Sequence, residues 1–335
     1  MAFETLATPL RQVSTALRKP LRVVAAIPAI YFILAVLLIW ISYENPNFPD
    51  PPVFLAFLRR ASPLVILAAG ELFVIVTGGF DLSVGSLITL TVLGGALLTD
   101  GNADRTPLAI AVLYLIGIGV GLFNGLVVSY LRVSSFITTL GMLIAIKGAA
   151  LLWSGGAPAG YLPDNFRVFG RKTLQDVPYL GELPYAVIIV VIYGIVATYL
   201  LHGTNFGKKA LAVGDNPRAA ALSGIAVPRV RIVAFVMSSV SAVTAGILLG
   251  GFAGVSMNVG DGYELEAIAA VVLGGAMLMG GKGSMPTAMA GALSLRALFT
   301  LLNLLGLPSP YRAAVQGLII IGAATYAAFR SQRES

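Results

Sequence analysis

Few side chains in this sequence can do chemistry, and the most informative of them interrupt an apolar run. In Val76-Thr-Gly-Gly-Phe-Asp-Leu-Ser-Val-Gly-Ser86 a carboxylate, Asp81, stands with the hydroxyls of Ser83 and Ser86 among glycines. A charged residue at the bilayer centre costs about 2.5–3.5 kcal/mol even on insertion scales, so Asp81 must face protein or a wet cavity rather than lipid. Irregular backbone at membrane depth obeys the same restriction, and Gly78, Gly79 and Gly85 supply the freedom to unwind. The pattern predicts a helix ending near Gly79 and another starting just after Asp81 or Ser83, either of which can cap its free N–H groups. Two chemistries fit such a break: hydrogen bonding to a polar solute, or holding a proton or sodium ion.

Other chemistry has almost no material. Cysteine is absent, which removes disulfides, thiol catalysis and thiolate metal sites. His202 is the single histidine, too little for a metal cluster or a Ser-His-Asp triad. No metal and no cofactor is expected. Of 335 residues, 57% are hydrophobic and 11% charged, with a mean hydropathy of +0.89. Soluble domains carry about 25% charged residues, so a soluble enzyme is excluded. The net charge of +7 does not point to nucleic acid, because the basic residues lie in short gaps between apolar runs.

The elements that must position these groups are therefore membrane helices of roughly 20 apolar residues. Ten spans are expected, at 22–41, 63–77, 84–98, 108–131, 136–153, 183–201, 232–252, 265–279, 286–305 and 311–329. The first follows a basic leader but is longer than a signal-peptide core and has no small-residue cleavage site, so it reads as uncleaved. The fold class is an all-α integral membrane protein, one transmembrane domain over 1–335 with about ten helices, an internal repeat and broken helices. With the N-terminus inside, Arg11, Arg18, Lys19, Arg22, Arg132, Lys208, Lys209, Arg218, Arg229, Arg231, Lys282, Arg330 and Arg333 face the cytoplasm. Arg59, Arg60, Arg105, Arg167, Arg171, Lys172 and Arg312 face outward, leaving Lys147 and Arg296 within spans. That excess puts both termini in the cytoplasm. Residues 155–182 then form an outer flap or docking surface.

A second interrupted segment, Val272-Leu-Gly-Gly-Ala-Met-Leu-Met-Gly-Gly-Lys-Gly-Ser284, repeats the first: a short apolar helix, Gly-Gly, then Gly-Ser some eight residues on. Paired glycine-interrupted segments point to a transport route built on a repeat, or to helix crossings that merely permit close packing. The polar loop 203–228 contains a predicted two-turn helix, with Asn216 as cap, Pro217 at its first position and Gly224 as left-handed stop. So short a helix needs a surface to lie on. Its small side chains suit either another protein's groove or the chain's own bundle.

Taken together, these blocks resemble the permease subunit of bacterial ABC importers for monosaccharides, of the ribose, xylose and galactoside type. The resemblance rests on Gly78-Gly-Phe-Asp-Leu-Ser-Val-Gly-Ser86, on Phe136-Ile-Thr-Thr-Leu-Gly141, and on the loop from Gly214 and Asp215 to Ile225. It rests also on Gly262-Tyr-Glu-Leu-Glu266 with the glycines that follow. It implies a multi-pass protein of the bacterial cytoplasmic (inner) membrane that moves a monosaccharide by alternating access. The implied partners are a second permease, identical or not, two ATP-binding-cassette subunits, an external sugar-binding protein and membrane lipid, with no nucleic acid. The chain itself is then non-catalytic, and it has no G-x-x-x-x-G-K-[ST] loop.

A sugar offers hydroxyls and an apolar ring face, so Asp81, Ser83, Ser86, Asn124, Phe136, Thr138 and Thr139 are the candidates for its path. Helix capping or interhelical bonding explains the same residues. Glu264 and Glu266 belong to the set, although two residues apart they are about 200° around a helix, so one of them is expected to cap or to pair, with Lys147 or Arg296. Gly214, Asp215, Asn216, Arg218, Ala219, Ala220, Ser223 and Gly224 form the expected ATPase-coupling loop. Two departures stand out: Ser134-Ser135 where the family often has proline, which loosens that helix start, and Ala276-Met277 where a Thr-Ser pair is common. The alternatives are a nucleoside or branched-chain amino-acid permease of the same machinery, an ion-coupled secondary transporter, and a passive channel.

Overall fold

The computed structural model describes residues 28–308 and, beyond them, 310–311, 314–315, 317–318, 321–322 and 325. In a bilayer every backbone polar group must be satisfied within the protein, and the apolar runs accordingly fold as helices. In chain order these are α1 (Ala29–Glu44), α2 (Pro51–Val76), α3 (Val84–Thr99), α4 (Thr106–Tyr130) and α5 (Ser135–Trp153). Then come α6 (Asp164–Arg171), α7 (Tyr185–Thr198), α8 (Asn205–Asp215), α9 (Pro217–Leu222), α10 (Val227–Phe252), α11 (Tyr263–Leu273) and α12 (Met285–Leu304). Among the described residues six helical stretches are long and apolar enough to cross a membrane: Pro51–Val76, Ala103–Tyr130, Ser135–Trp153, Tyr185–Gly203, Val227–Phe252 and Met285–Leu304. The shorter α1 and α3 are equally apolar.

Each of the first nine expected spans coincides with a helix. The start of the first, 22–27, most of the tenth, and Arg11, Arg18, Lys19, Arg22, Arg312, Arg330 and Arg333 lie outside the described residues. Two boundaries shift for local reasons. Helix α2 begins at Pro51, well before 63, because Pro51 and Pro52 occupy first-turn positions where a missing N–H costs nothing; Pro63 sits inside it. The expected span 265–279 is helical only to Leu273, since Gly275 turns left-handed at φ 86°.

Helix α10 forms the centre, with α2, α3 and α4 packed around it. Of these three, α4 brings its backbone nearest. A Cβ on Gly121 would stand 2.6 Å from the Val236 Cα and 2.8 Å from the Phe235 carbonyl oxygen, so the two backbones touch there, the small-residue packing that membrane helices favour. Gly121→Ala is expected to cost about 1–3 kcal/mol by overpacking, seen as a lower unfolding temperature in detergent; an unchanged temperature would refute this contact. Helix α1 lies outside this core, held by Phe48, Phe57, Ile41 and residues Ala297 and Leu301 of α12.

The flap 155–182 is folded. Helix α6 buries Phe166 completely, where it lies against Gly95 and Gly250. A two-stranded antiparallel hairpin, β1 (Thr173–Val177) and β2 (Gly181–Pro184), follows, a small addition to the helical architecture.

Candidate functional site

Helix α2 stops at Val76, Thr77 folds its hydroxyl back onto the Val74 carbonyl at 2.8 Å, and Gly78 adopts φ 82°. Four successive backbone N–H groups then lack a helical partner, and each finds a side chain. Phe80 donates to Ser135 Oγ at 3.1 Å, Asp81 to Glu71 Oε1 at 3.0 Å, Leu82 to Thr139 Oγ1 at 3.0 Å, and Ser83 to Asp81 Oδ1 at 3.1 Å. The Ser83 hydroxyl also donates to Asp81, and Asn124 Nδ2 donates to Ser83 Oγ at 3.0 Å. Ser86 returns its hydroxyl to the Ser83 carbonyl at 2.8 Å. Of the two expected caps, Asp81 accepts the backbone bond; Ser83, though next to the helix start, makes no capping bond of its own.

This network ties α2, α4 and α5 to the break and is sealed. Glu71, Asp81, Ser83, Asn124 and Thr139 are completely buried, and Ser86 and Thr138 nearly so. Phe136 is different: it is 52% exposed. Ser135, in one of the two departures from the family pattern, bonds the break. Its role was not readable from spacing, because its partner Phe80 is 55 positions away; Glu71, expected like one of Glu264 and Glu266 to cap or to pair, does so through the Asp81 N–H.

The second break meets the first. The Gly281 N–H donates to the Val76 carbonyl at 3.0 Å, joining the segment between α11 and α12 to the end of α2. The end of α8 completes the junction. A Cβ on Gly214 would collide with the Val76 carbonyl oxygen and the Gly281 nitrogen, and one on Gly281 would stand 2.8 Å from the Asp215 Cα. Loop 203–228 thus rests on both breaks at once. Asn216 Oδ1 accepts from the N–H groups of Arg218 and Ala219 at 3.1 and 3.0 Å, and Gly224 adopts φ 81°. Helix α8, ahead of it, is an element the sequence reading did not separate. On α9, Ala220 is buried against the chain while Arg218, Ala219 and Ser223 are exposed, and Leu222 is 91% exposed. His202 Nε2 accepts from the Met285 N–H at 3.1 Å.

Near the start of α11 the two glutamates diverge. Glu266 pairs with Arg296 at 2.8 Å, whose guanidinium lies 4.9 Å from the Tyr263 ring centroid. Glu264, half-buried, lies in the space that the missing Cβ of Gly85 leaves. Lys147 pairs instead with Asp261 at 2.9 Å. Asp261 belongs to the 253–262 segment, which is pinned to α3 by the Gly260 N–H donating to Thr89 Oγ1 at 3.1 Å. The one hydroxyl bonded to a carboxylate in this network, Ser83 on Asp81, is completely buried with its partner. The arrangement can hinge, and it can present polar groups.

Residues 53–324 match the family described as branched-chain amino acid transport system / permease component. The chain is similar to the ribose import permease protein of Bacillus subtilis (strain 168), 36% identical over 291 residues that cover 86% of this chain and 88% of that protein. It is similar to the ribose import permease protein of Escherichia coli (strain K12), 36% identical over 292 residues, 86% and 89% of the two chains. The autoinducer 2 import system permease protein of Enterobacter sp. (strain 638) is 36% identical over 281 residues, 81% of this chain and 79% of that one. No solved structure matches the chain.

Proposed function

Because the chain belongs to the branched-chain amino acid transport system / permease component family, we propose that it is the membrane permease subunit of an ATP-driven importer carrying a monosaccharide by alternating access. Relatives that share about a third of its residues over most of its length are named for ribose import, which supports a sugar over a branched-chain amino acid or a nucleoside. The protein is multi-pass and resides in the inner membrane, with both termini in the cytoplasm. It performs no chemistry. Two ATP-binding-cassette subunits supply energy, a second permease completes the passage, and an external sugar-binding protein delivers cargo.

One observation carries the mechanism: loop 203–228 rests on both breaks through Gly214, Val76 and Gly281. A pull on α9 therefore reaches two segments that glycine allows to bend. The sealed network of Asp81, Ser83, Ser86, Asn124, Thr138 and Thr139 holds the first break in place beside the passage, Glu266 holds α11 to α12, and Phe136 and Glu264 stand nearer to the solute.

The exposed side of α9 is the coupling face. Ala219→Trp is expected to leave the protein folded and to lower uptake about tenfold or more while ATP hydrolysis persists, because the bulk meets the partner's groove. Ala220→Trp, aimed at the chain itself, is expected to lower the unfolding temperature as well. Normal uptake by the Ala219 variant would remove α9 from the coupling face. The function as a whole is tested by co-purifying the chain with its ATP-binding partners and measuring sugar-stimulated ATP hydrolysis in liposomes. Solute accumulation by the purified chain alone would overturn it in favour of an ion-coupled transporter.

A further inference from the structure

Lys147 and Asp261 present an exposed ion pair where the surroundings should be acyl chains. Their side chains are 47% and 45% exposed. Helix α5 has 19 residues, about 28 Å at 1.5 Å per residue, and Lys147 stands about 18 Å from its Ser135 end and about 9 Å from the other. Because the hydrocarbon core is about 30 Å thick, the pair sits well inside it. A lysine stem can snorkel toward an interface, but here it points to a carboxylate too short to do so, held at that depth by the Gly260–Thr89 bond. Charged groups at this depth face a wet cavity or the interior of an assembly, not lipid.

The same face of α5 borders α11. Phe136, Leu140, Leu143 and Lys147 recur at helical spacing, and Phe136 and Lys147, eleven residues apart, lie within about 20° of each other around the axis. Leu143 packs against the cluster of Leu82 with Ile268 and Val272 of α11, so this stripe borders the helix that Asp261 precedes.

We propose that Lys147 and Asp261 form a binding station for the monosaccharide about two thirds of the way along α5 from its Ser135 end, a deepening that rests on the permease reading above. The ammonium donates to, and the carboxylate accepts from, neighbouring hydroxyls of the sugar, and Phe136 offers an aromatic face to the ring nearer the break end. An ion pair already satisfied holds such a ligand weakly, which suits a site that must also release it.

The chain has no cysteine, so a single introduced thiol reports its own surroundings. In membrane vesicles holding the assembled transporter, Lys147→Cys and, with the ion pair kept intact, Leu140→Cys on the same stripe are treated with a charged, water-soluble methanethiosulfonate. Both are expected to react about tenfold or more faster than Ile195→Cys on the exposed apolar face of α7, because a thiol among acyl chains stays protonated. The sugar that the same vesicles take up with ATP, ribose tried first, is expected to slow the reaction of Leu140→Cys, which keeps the ion pair, several-fold, and to protect Lys147→Cys, which removes it, far less. Failure of either position to react, or reaction of Leu140→Cys at the same rate with and without that sugar, overturns the station. If the unaltered transporter takes up no monosaccharide with ATP, the permease reading itself has failed, a result separable from the labelling.

Discussion

Gly214→Ala is expected to abolish sugar uptake while ATP hydrolysis by the associated subunits ceases to respond to sugar. The new Cβ would occupy the position of the Val76 carbonyl oxygen and press on the Gly281 nitrogen, the two ends of the bond that ties the breaks together. Neither obstacle is a side chain that can rotate away, so the end of α8 must lift off or the bond must open. Overpacking against flexible neighbours costs about 1–3 kcal/mol; against two backbone segments the cost lies at or above the top of that range, a factor of 100 or so in the population of the seated loop. Gly224→Ala is the comparison. That site is left-handed but open, so the penalty is about 1–2 kcal/mol of backbone strain, with uptake reduced and not lost. Wild-type uptake by Gly214→Ala, measured beside wild-type amounts of assembled complex, would mean that the junction transmits nothing.

Asp81→Ala is expected to lower stability by about 2–4 kcal/mol, since it orphans a buried N–H and a buried hydroxyl that both donate to the carboxylate. Asn124 then holds a serine that is itself no longer held. Asp81→Asn keeps one acceptor oxygen and is expected to recover part of the loss. Because Asp81, Ser83 and Asn124 act in series, the Asp81→Ala and Asn124→Ala penalties should fall short of adding. Thermal unfolding in detergent of the parent, the two alanine variants and their double variant reads this directly. Additive penalties, or an alanine variant as stable as the parent, would show that the network is not what closes the break.

What the sequence disclosed was set by how local the physics is. The Asn216 cap, Pro217 and the Gly224 stop are all within one short segment, and the helix they delimit is the one observed. The break at 77–83 was equally legible, since glycines and a carboxylate in an apolar run leave few options. The partners were not. Lys147 and Asp261 are 114 positions apart, and Phe80 and Ser135 are 55 apart, distances over which spacing says nothing. Nor did it disclose that most of the polar candidates are sealed: a hydroxyl that binds solute and one that catches a loose N–H look alike in sequence, and only burial separates them.

Close backbone contact between α4 and α10 limits how the transporter can move. Where Gly121 brings the two main chains together, neither helix can slide or roll without forcing atoms through one another, so the two behave as a single riveted strut. Shape change has to be hosted by members that meet the strut through side chains or hang from glycine elbows, α5 and α11 foremost. A crosslink stapling α4 to α10 should leave the working cycle intact, whereas one stapling α5 to α11 should stall it.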